Sequence, residues 1–249
     1  MSAVWILFRK EMMSYFYSPI AYIIGVCVLF LNGVNVTQIV KWLSQQPSDY
    51  SVFQVMFAGF FTWIVFLIVP PVLTMRLFAD EKRMGTIESL MTTPLRDWEY
   101  VMAKFLSALC LYMMLWLPTV NIVFVLRHFA HDTAALELGP LFGGYLGVLM
   151  TGMLFLSVGC MASACTRNQV VAAVITFAIN TAIFFVGLLF FMDAAGKLRE
   201  VFEYVSLYGH MDELCRGVLD WRRPFFYLTS AAFFLVMTQR IVQSRQWKS

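Results

Sequence analysis

Six stretches of this chain run for about twenty residues with almost no charge. They cover approximately Ile20–Val40, Phe57–Phe78, Phe105–Leu126, Leu141–Cys165, Val170–Met192 and Phe225–Val242. Crossing ~30 Å of hydrocarbon at ~1.5 Å per residue takes a helix of about 20 apolar residues, and each stretch meets that length. The first five contain no Lys, Arg, Asp or Glu apart from Arg76, and the sixth carries Arg240 near its end, where it can snorkel to the headgroups. Strands of a membrane barrel are ~10 residues of alternating polarity, unlike these continuous runs. Composition agrees: 60% of the 249 residues are hydrophobic and 13% charged, against roughly 45–50% and about 25% in a soluble domain. The expected architecture is therefore an all-α polytopic membrane protein with six transmembrane helices, residues 1–249 forming one transmembrane domain. The net charge of +3 leaves no nucleic-acid footprint.

An even number of spans places both termini on one side, and basic residues choose the side. Arg9, Lys10, Arg76, Lys82, Arg83, Arg96, Lys104, Arg167, Arg240, Arg245 and Lys248 fall on the face of the termini. Lys41, Arg127, Lys197, Arg199, Arg216, Arg222 and Arg223 fall on the other. That asymmetry predicts cytoplasmic termini, with Trp42 and Trp221 at the outer interface and Trp98 and Trp247 at the inner one. The first 18 residues lack the apolar core of a secretion signal. Trp5, Phe8, Met12 and Phe16 recur at steps of three and four, with Arg9, Lys10 and Ser14 elsewhere on the wheel. The spacing predicts an amphipathic helix in the inner interface, broken at Ser18-Pro19.

Little of the sequence points to catalysis. Of the five cysteines, only Cys215 lies clearly outside the spans, so no disulfide framework is expected. His128, His131 and Asp132 share a short outer loop but lack a fourth ligand, and no metal site is predicted. No phosphate-cradling G-x-x-x-x-G-K-[ST], no G-x-S-x-G and no H-E-x-x-H occurs. Polar residues inside the spans are neutral: Asn32, Asn35, Thr62, Asn121, Thr176, Asn180 and Thr181. They serve either to bond helices together or, for Asn32, Asn35, Asn121 and Asn180, to line a pathway. Without ionisable groups at depth, energy for uphill movement has to enter from outside the membrane. Gly143, Gly147, Gly152 and Gly159 give the fourth span a small face for close contact, within the chain or between copies.

The most informative segment joins the second and third spans. It holds Asp80, Glu81, Lys82, Arg83, Met84, Gly85, Thr86, Ile87 and Glu88, then Leu90-Met91, Thr93-Pro94 and finally Lys104. Thr86 is placed to cap a short helix, Glu88 to sit in its first turn, and Ile87, Leu90 and Met91 to form an apolar face. Thr93-Pro94 stops that helix and Asp97 can cap the next. Such a helix suits docking into a partner's groove.

At these residues, and in its length and span number, the sequence resembles the permease subunits of the ABC-2 family of ATP-binding-cassette transporters. His210–Asp220 is similar to the corresponding segment of gliding-motility-associated and nitrous-oxide-reductase-maturation permeases. The resemblance implies a bacterial cytoplasmic-membrane permease without catalysis or cofactor of its own. ATP and Mg would be bound by a partner ATPase, and a second permease copy or related permease would complete the pathway. Asp80, Glu81, Lys82, Arg83, Gly85, Thr86, Ile87, Glu88, Leu90, Met91, Thr93 and Pro94 inherit an ATPase-coupling role within a cytoplasmic loop spanning 76–104. The 32 residues Asp193–Pro224 would form short helices dipping into the outer leaflet. Export of a substrate is the expected function. The alternatives are a non-transporting permease that moves an accessory extracytoplasmic protein and, third, a membrane enzyme.

Overall fold

The computed structural model describes residues 3–45, 52–85, 96–122, 138–188 and 204–244. Every regular element among them is helical. Six helices are long and apolar enough to cross a membrane: Pro19–Lys41, Phe60–Met84, Asp97–Ile122, Gly139–Cys165, Gln169–Leu188 and Arg222–Gln243. The protein is a polytopic membrane protein, and the end of the bundle that holds Pro19, Met84, Asp97, Cys165, Gln169 and Gln243 is here called the terminal side.

The chain opens with α1 (Ala3–Tyr17), which ends at a bend at Ser18 before Pro19 starts α2 (Pro19–Gln45). Proline suits a first helical turn because its missing N–H would have no partner there. The short α3 (Val52–Ala58) and α4 (Phe60–Thr74) follow. Where the apolar run from Phe57 predicts one unbroken span, the chain bends at Gly59. A Cβ on Gly59 would stand 2.8 Å from the Val55 carbonyl oxygen and 3.0 Å from Asn35 Oδ1, so the bend has no room for a side chain. The Met56 carbonyl at this break accepts from Asn35 Nδ2 at 3.0 Å and Thr62 Oγ1 at 2.7 Å.

After a turn at 75–78 come α5 (Ala79–Met84) and α6 (Asp97–Trp116), the latter extended by a 3₁₀ turn, Leu117–Thr119. The third span thus begins well before Phe105, and Lys104 lies inside its helix rather than at its entrance. Glu99, rather than the expected Asp97, reaches back to the start of α6, accepting from the Arg96 backbone N–H at 3.2 Å. Asp97 instead accepts from Gln243 Nε2 at 3.1 Å, tying the start of the third span to the end of the sixth.

The remaining elements are α7 (Leu138–Cys165), α8 (Gln169–Leu188), α9 (Leu207–Cys215) and α10 (Arg222–Gln243). Helix α7 is the axis of the bundle, packed against α4, α6, α8, α9 and α10. Its glycines make that possible. A Cβ at Gly143 would sit 1.8 Å from the Leu214 carbonyl oxygen, at Gly152 2.3 Å from the Tyr112 ring and at Gly159 2.1 Å from Thr74 Oγ1. The small face of the fourth span therefore serves contacts within the chain. The outer helices keep apolar side chains exposed, among them Val26 and Phe30 of α2, Val174 of α8 and Phe233 of α10. This is the arrangement expected of surfaces facing lipid.

Helix α1 divides its expected apolar stripe between the bundle, on which Phe8 and Met12 pack, and the outside. Leu7 and Met12 are buried against the bundle, whereas Trp5 and Phe16 are about half exposed. The inward face also carries Glu11 and Tyr15, and the Tyr15 hydroxyl donates to the Leu73 carbonyl at 3.1 Å.

Candidate functional site

The six residues of α5 stand at the start of the segment that the sequence singles out, and three neighbouring helices bond to them directly. The Ser163 hydroxyl of α7 accepts the backbone N–H of Phe78 at 3.1 Å and of Ala79 at 3.2 Å, so a side chain from another span caps the start of α5. Lys82 reaches the Ala164 carbonyl of α7, and the Gln169 amide of α8 donates to Asp80. Glu81 faces the opposite way, toward α1 and α6. It accepts from the Tyr100 hydroxyl and pairs with Lys104 Nζ at 2.9 Å.

Lys104 is the centre of the site. Its side chain is 1% exposed. The ammonium meets Glu81, Glu11 of α1 at 3.0 Å and the Leu77 carbonyl at 2.6 Å, which uses all three of its donors. The Phe78 and Tyr100 rings lie 5.4 and 5.2 Å from it, a distance at which their π faces attract the cation. Lys104 is seven residues into α6, about 10 Å along the axis from Asp97. A charge at that depth persists only when paired and hydrogen-bonded. The two carboxylates come from the interfacial helix and from the loop-bearing helix, so this lysine joins three elements remote in sequence.

Helix α5 ends at Gly85, whose φ of 71° is the left-handed conformation that caps helices. The expected helix opening at Gly85-Thr86 is thus preceded by one that closes there. Arg83 and Met84 are exposed beside it. Of the residues assigned to coupling, Glu81 and Lys82 are buried and bonded within the chain, Asp80 is half-buried, and Arg83 and Gly85 face outward. Thr86, Ile87, Glu88, Leu90, Met91, Thr93 and Pro94 lie outside the described residues, as do His128, His131, Asp132, residues 189–192 at the end of the expected fifth span and residues 193–203 of the long loop after it.

Residues 31–216 match the ABC-2 family transporter protein. The chain belongs to the ABC-2 transporter family. The match covers well over half of the chain and includes α5, the loop after it and Lys104. No curated protein matches the chain. ABC-2 proteins are the membrane components of ABC transporters, and family membership implies an ABC ATPase as partner.

In this ABC-2 permease the four asparagines named as pathway candidates separate into different roles. Asn35 satisfies the bend at Gly59 and also donates to Thr62 Oγ1 at 3.1 Å. Asn32 is buried and donates to the Val28 carbonyl of its own helix at 2.9 Å. Asn121 is exposed near the far end of the third span. Asn180 is fully buried, and neither atom of its amide has a hydrogen-bond partner among the described residues. Among those residues no group of three or more His, Cys, Asp and Glu side chains is arranged to hold a metal.

On the far side α9 lies on the opening turns of α7, where Gly147 leaves room for Met211. His210 Nε2 accepts from Arg223 Nη1 at 3.0 Å, which fixes the proton of the neutral ring on Nδ1, 3.3 Å from the Tyr227 hydroxyl. Burial first, and then the Arg223 charge, push the His210 pKa down to about 4. Beside His210 stands a bidentate pair, Arg223 donating to Glu213 at 3.1 and 3.0 Å, which spacing in the sequence does not reveal.

Proposed function

We propose that this chain is the permease subunit of an ABC transporter in a bacterial cytoplasmic membrane. Its termini lie in the cytoplasm, and the segment Asp80–Pro94 receives the motion of a separate ATPase that binds ATP and Mg. One observation carries the reading: α5, at the root of that segment, is bonded directly to α6, α7 and α8, and through Lys104 of α6 to Glu11 of α1. A push on the loop would then move four elements together rather than bend a free strand of chain. In this scheme Glu81 and Lys82 anchor the lever, and Arg83, Ile87, Glu88 and Leu90 meet the ATPase. Two permeases, identical or related, enclose the pathway along which a substrate is exported. The likeness of His210–Asp220 to gliding-motility and nitrous-oxide-reductase-maturation permeases supports a place among those subfamilies.

The test is to replace Ile87 and Leu90 together by Asp and to measure ATPase co-purification and transport-linked hydrolysis in reconstituted membranes. Loss of both, with the spans still inserted, is expected. Full complex and full activity in that variant would remove the coupling assignment.

A further inference from the structure

A cavity of about 530 Å³ opens on the terminal side between α1, the start of α2 and the end of the second span. This is within the ~300–1,000 Å³ range of small-molecule sites. One wall is hydrocarbon: Ile20, Ala21, Ile24, Val72 and Leu73. The other is polar and carries Lys10, Ser14, Ser18 and Arg76. Lys10, Ser14 and Ser18 recur at steps of four, which stacks them along one stripe of α1 and its end. The Arg76 guanidinium meets the end of that stripe, donating to Ser18 Oγ at 3.3 Å.

The cavity also holds three acids, and their state decides what it can bind. Glu11 and Glu81 share the single charge of Lys104 and point at it, and Asp80 accepts from the Gln169 amide, so the lining balances three carboxylates against Lys10, Arg76 and Lys104. Lys10 and Arg76 have no ion-pair partner among the described residues, although both line a space beside apolar wall. Two uncommitted cations and two hydroxyls are a complement for a phosphate, with arginine able to bind it through two parallel N–H groups. The adjoining apolar wall lies within the first span and the end of the second, where acyl chains run. Basic pockets between helices at this level hold lipid headgroups in membrane proteins generally.

We propose that this cavity is a binding site for one glycerophospholipid of the leaflet on the terminal side. Arg76, Lys10, Ser14 and Ser18 hold its phosphodiester, and Ile20, Ile24 and Val72 flank the first part of an acyl chain. The bound lipid fills the space behind Glu11 and Glu81 and so braces the junction of α1 with α5.

The experiment uses the full chain, purified and delipidated in detergent, with three probes. Dioctanoyl phosphatidylglycerol has phosphate and chains, dioctanoylglycerol has chains alone, and glycerol 3-phosphate has the phosphate alone. Binding is read by thermal shift and by native mass spectrometry. The phospholipid should bind at least about tenfold more tightly than either fragment. Lys10→Gln/Arg76→Gln should weaken it by about tenfold or more, the scale of losing a charge-assisted hydrogen bond. Ala21→Phe, which fills the apolar wall and leaves every charge in place, should abolish retention of the lipid. Neither variant touches Lys104, so melting without lipid should be unchanged. Equal binding of glycerol 3-phosphate would make the site one for free phosphate esters and overturn the proposal. Equal binding of dioctanoylglycerol, or undiminished lipid binding by Ala21→Phe, would overturn it as well.

Discussion

The two ends of this bundle place their ion pairs in different surroundings. On the terminal side, Lys104, Glu11 and Glu81 meet where the lysine is 1% exposed and both carboxylates are nearly covered. On the far side, α9 carries Asp212–Arg216 at 2.8 Å with the partners 26% and 56% exposed, and Glu213–Arg223 with the glutamate 38% and the arginine 11% exposed. Ion pairs in a dry site are attracted strongly but also lose much hydration, so their worth shows chiefly when one partner is removed. Pairs open to water are screened and individually weak. The terminal end is thus a dry, rigid joint, and the far end a wetter rim that adjusts more easily.

The largest effect expected from this contrast is that of Lys104→Met. It leaves two carboxylates facing each other without their cation. Removing one member of a buried charge group costs about 3–5 kcal/mol. The melting temperature of the detergent-purified permease should fall sharply. Converting Glu11 and Glu81 to Gln in the same variant should recover much of the loss, because no bare charge then remains. If Lys104→Met alone melts like the parent chain, the cluster is not the rigid joint described here.

Sequence reasoning reached the spans because hydrocarbon thickness imposes a length that local composition reveals. It placed Lys104 at the mouth of the third span and assigned Glu81 to a partner surface. Both residues are polar and near a loop, and nothing local tells an inward carboxylate from an outward one. That distinction depends on Glu11, which is 93 positions from Lys104 and comes from another helix. The same limit applies to α1. Its apolar spacing was readable, but several residues satisfy the helical period, and only packing against α6 selects Leu7 and Met12 over Trp5 and Phe16. Gly143, Gly147, Gly152 and Gly159 were recognised as a contact face from spacing alone. Whether that face served a second copy or this chain was settled by Leu214, Met211, Tyr112 and Thr74, all distant in sequence.

A second, intermediate effect should appear at the far end alone, under mild acid. His210 is fully buried, with its pKa lowered from 6.5 to about 4. Above pH 6.5 the ring is neutral whether the region is folded or open. As pH falls below that value, the opened state takes up a proton while the folded state, beside Arg223, does not. Stability is therefore lost between about pH 6.5 and 4, and no further loss follows once the folded ring also protonates. The gap corresponds to roughly 3 kcal/mol at most. Melting of the wild-type chain should fall over this window, whereas His210→Gln, which keeps a neutral polar group, should show a much flatter profile. Matching profiles would mean that His210 is solvated rather than held between Arg223 and Tyr227.

The smallest effect belongs to Arg216→Ala, and its smallness is the point. Arg216 pairs with Asp212 across one turn of α9 and lies mostly in water, the setting in which such pairs contribute about 0.3–0.5 kcal/mol. Asp212 does not depend on it, since Gln54 of α3 also donates to that carboxylate at 2.5 Å. Removing the arginine therefore leaves no buried charge unpaired, in contrast to Lys104→Met. The Arg216→Ala melting temperature should stay within a degree or two of the parent, an interval consistent with about 0.5 kcal/mol in a chain of this size. Raising the salt concentration should leave the difference no larger, because the Debye length shortens and the lost interaction was already screened. A drop comparable to that of Lys104→Met would show that the far end is as dry as the terminal end. The division of labour between a rigid joint and an adjustable rim would then have to be abandoned.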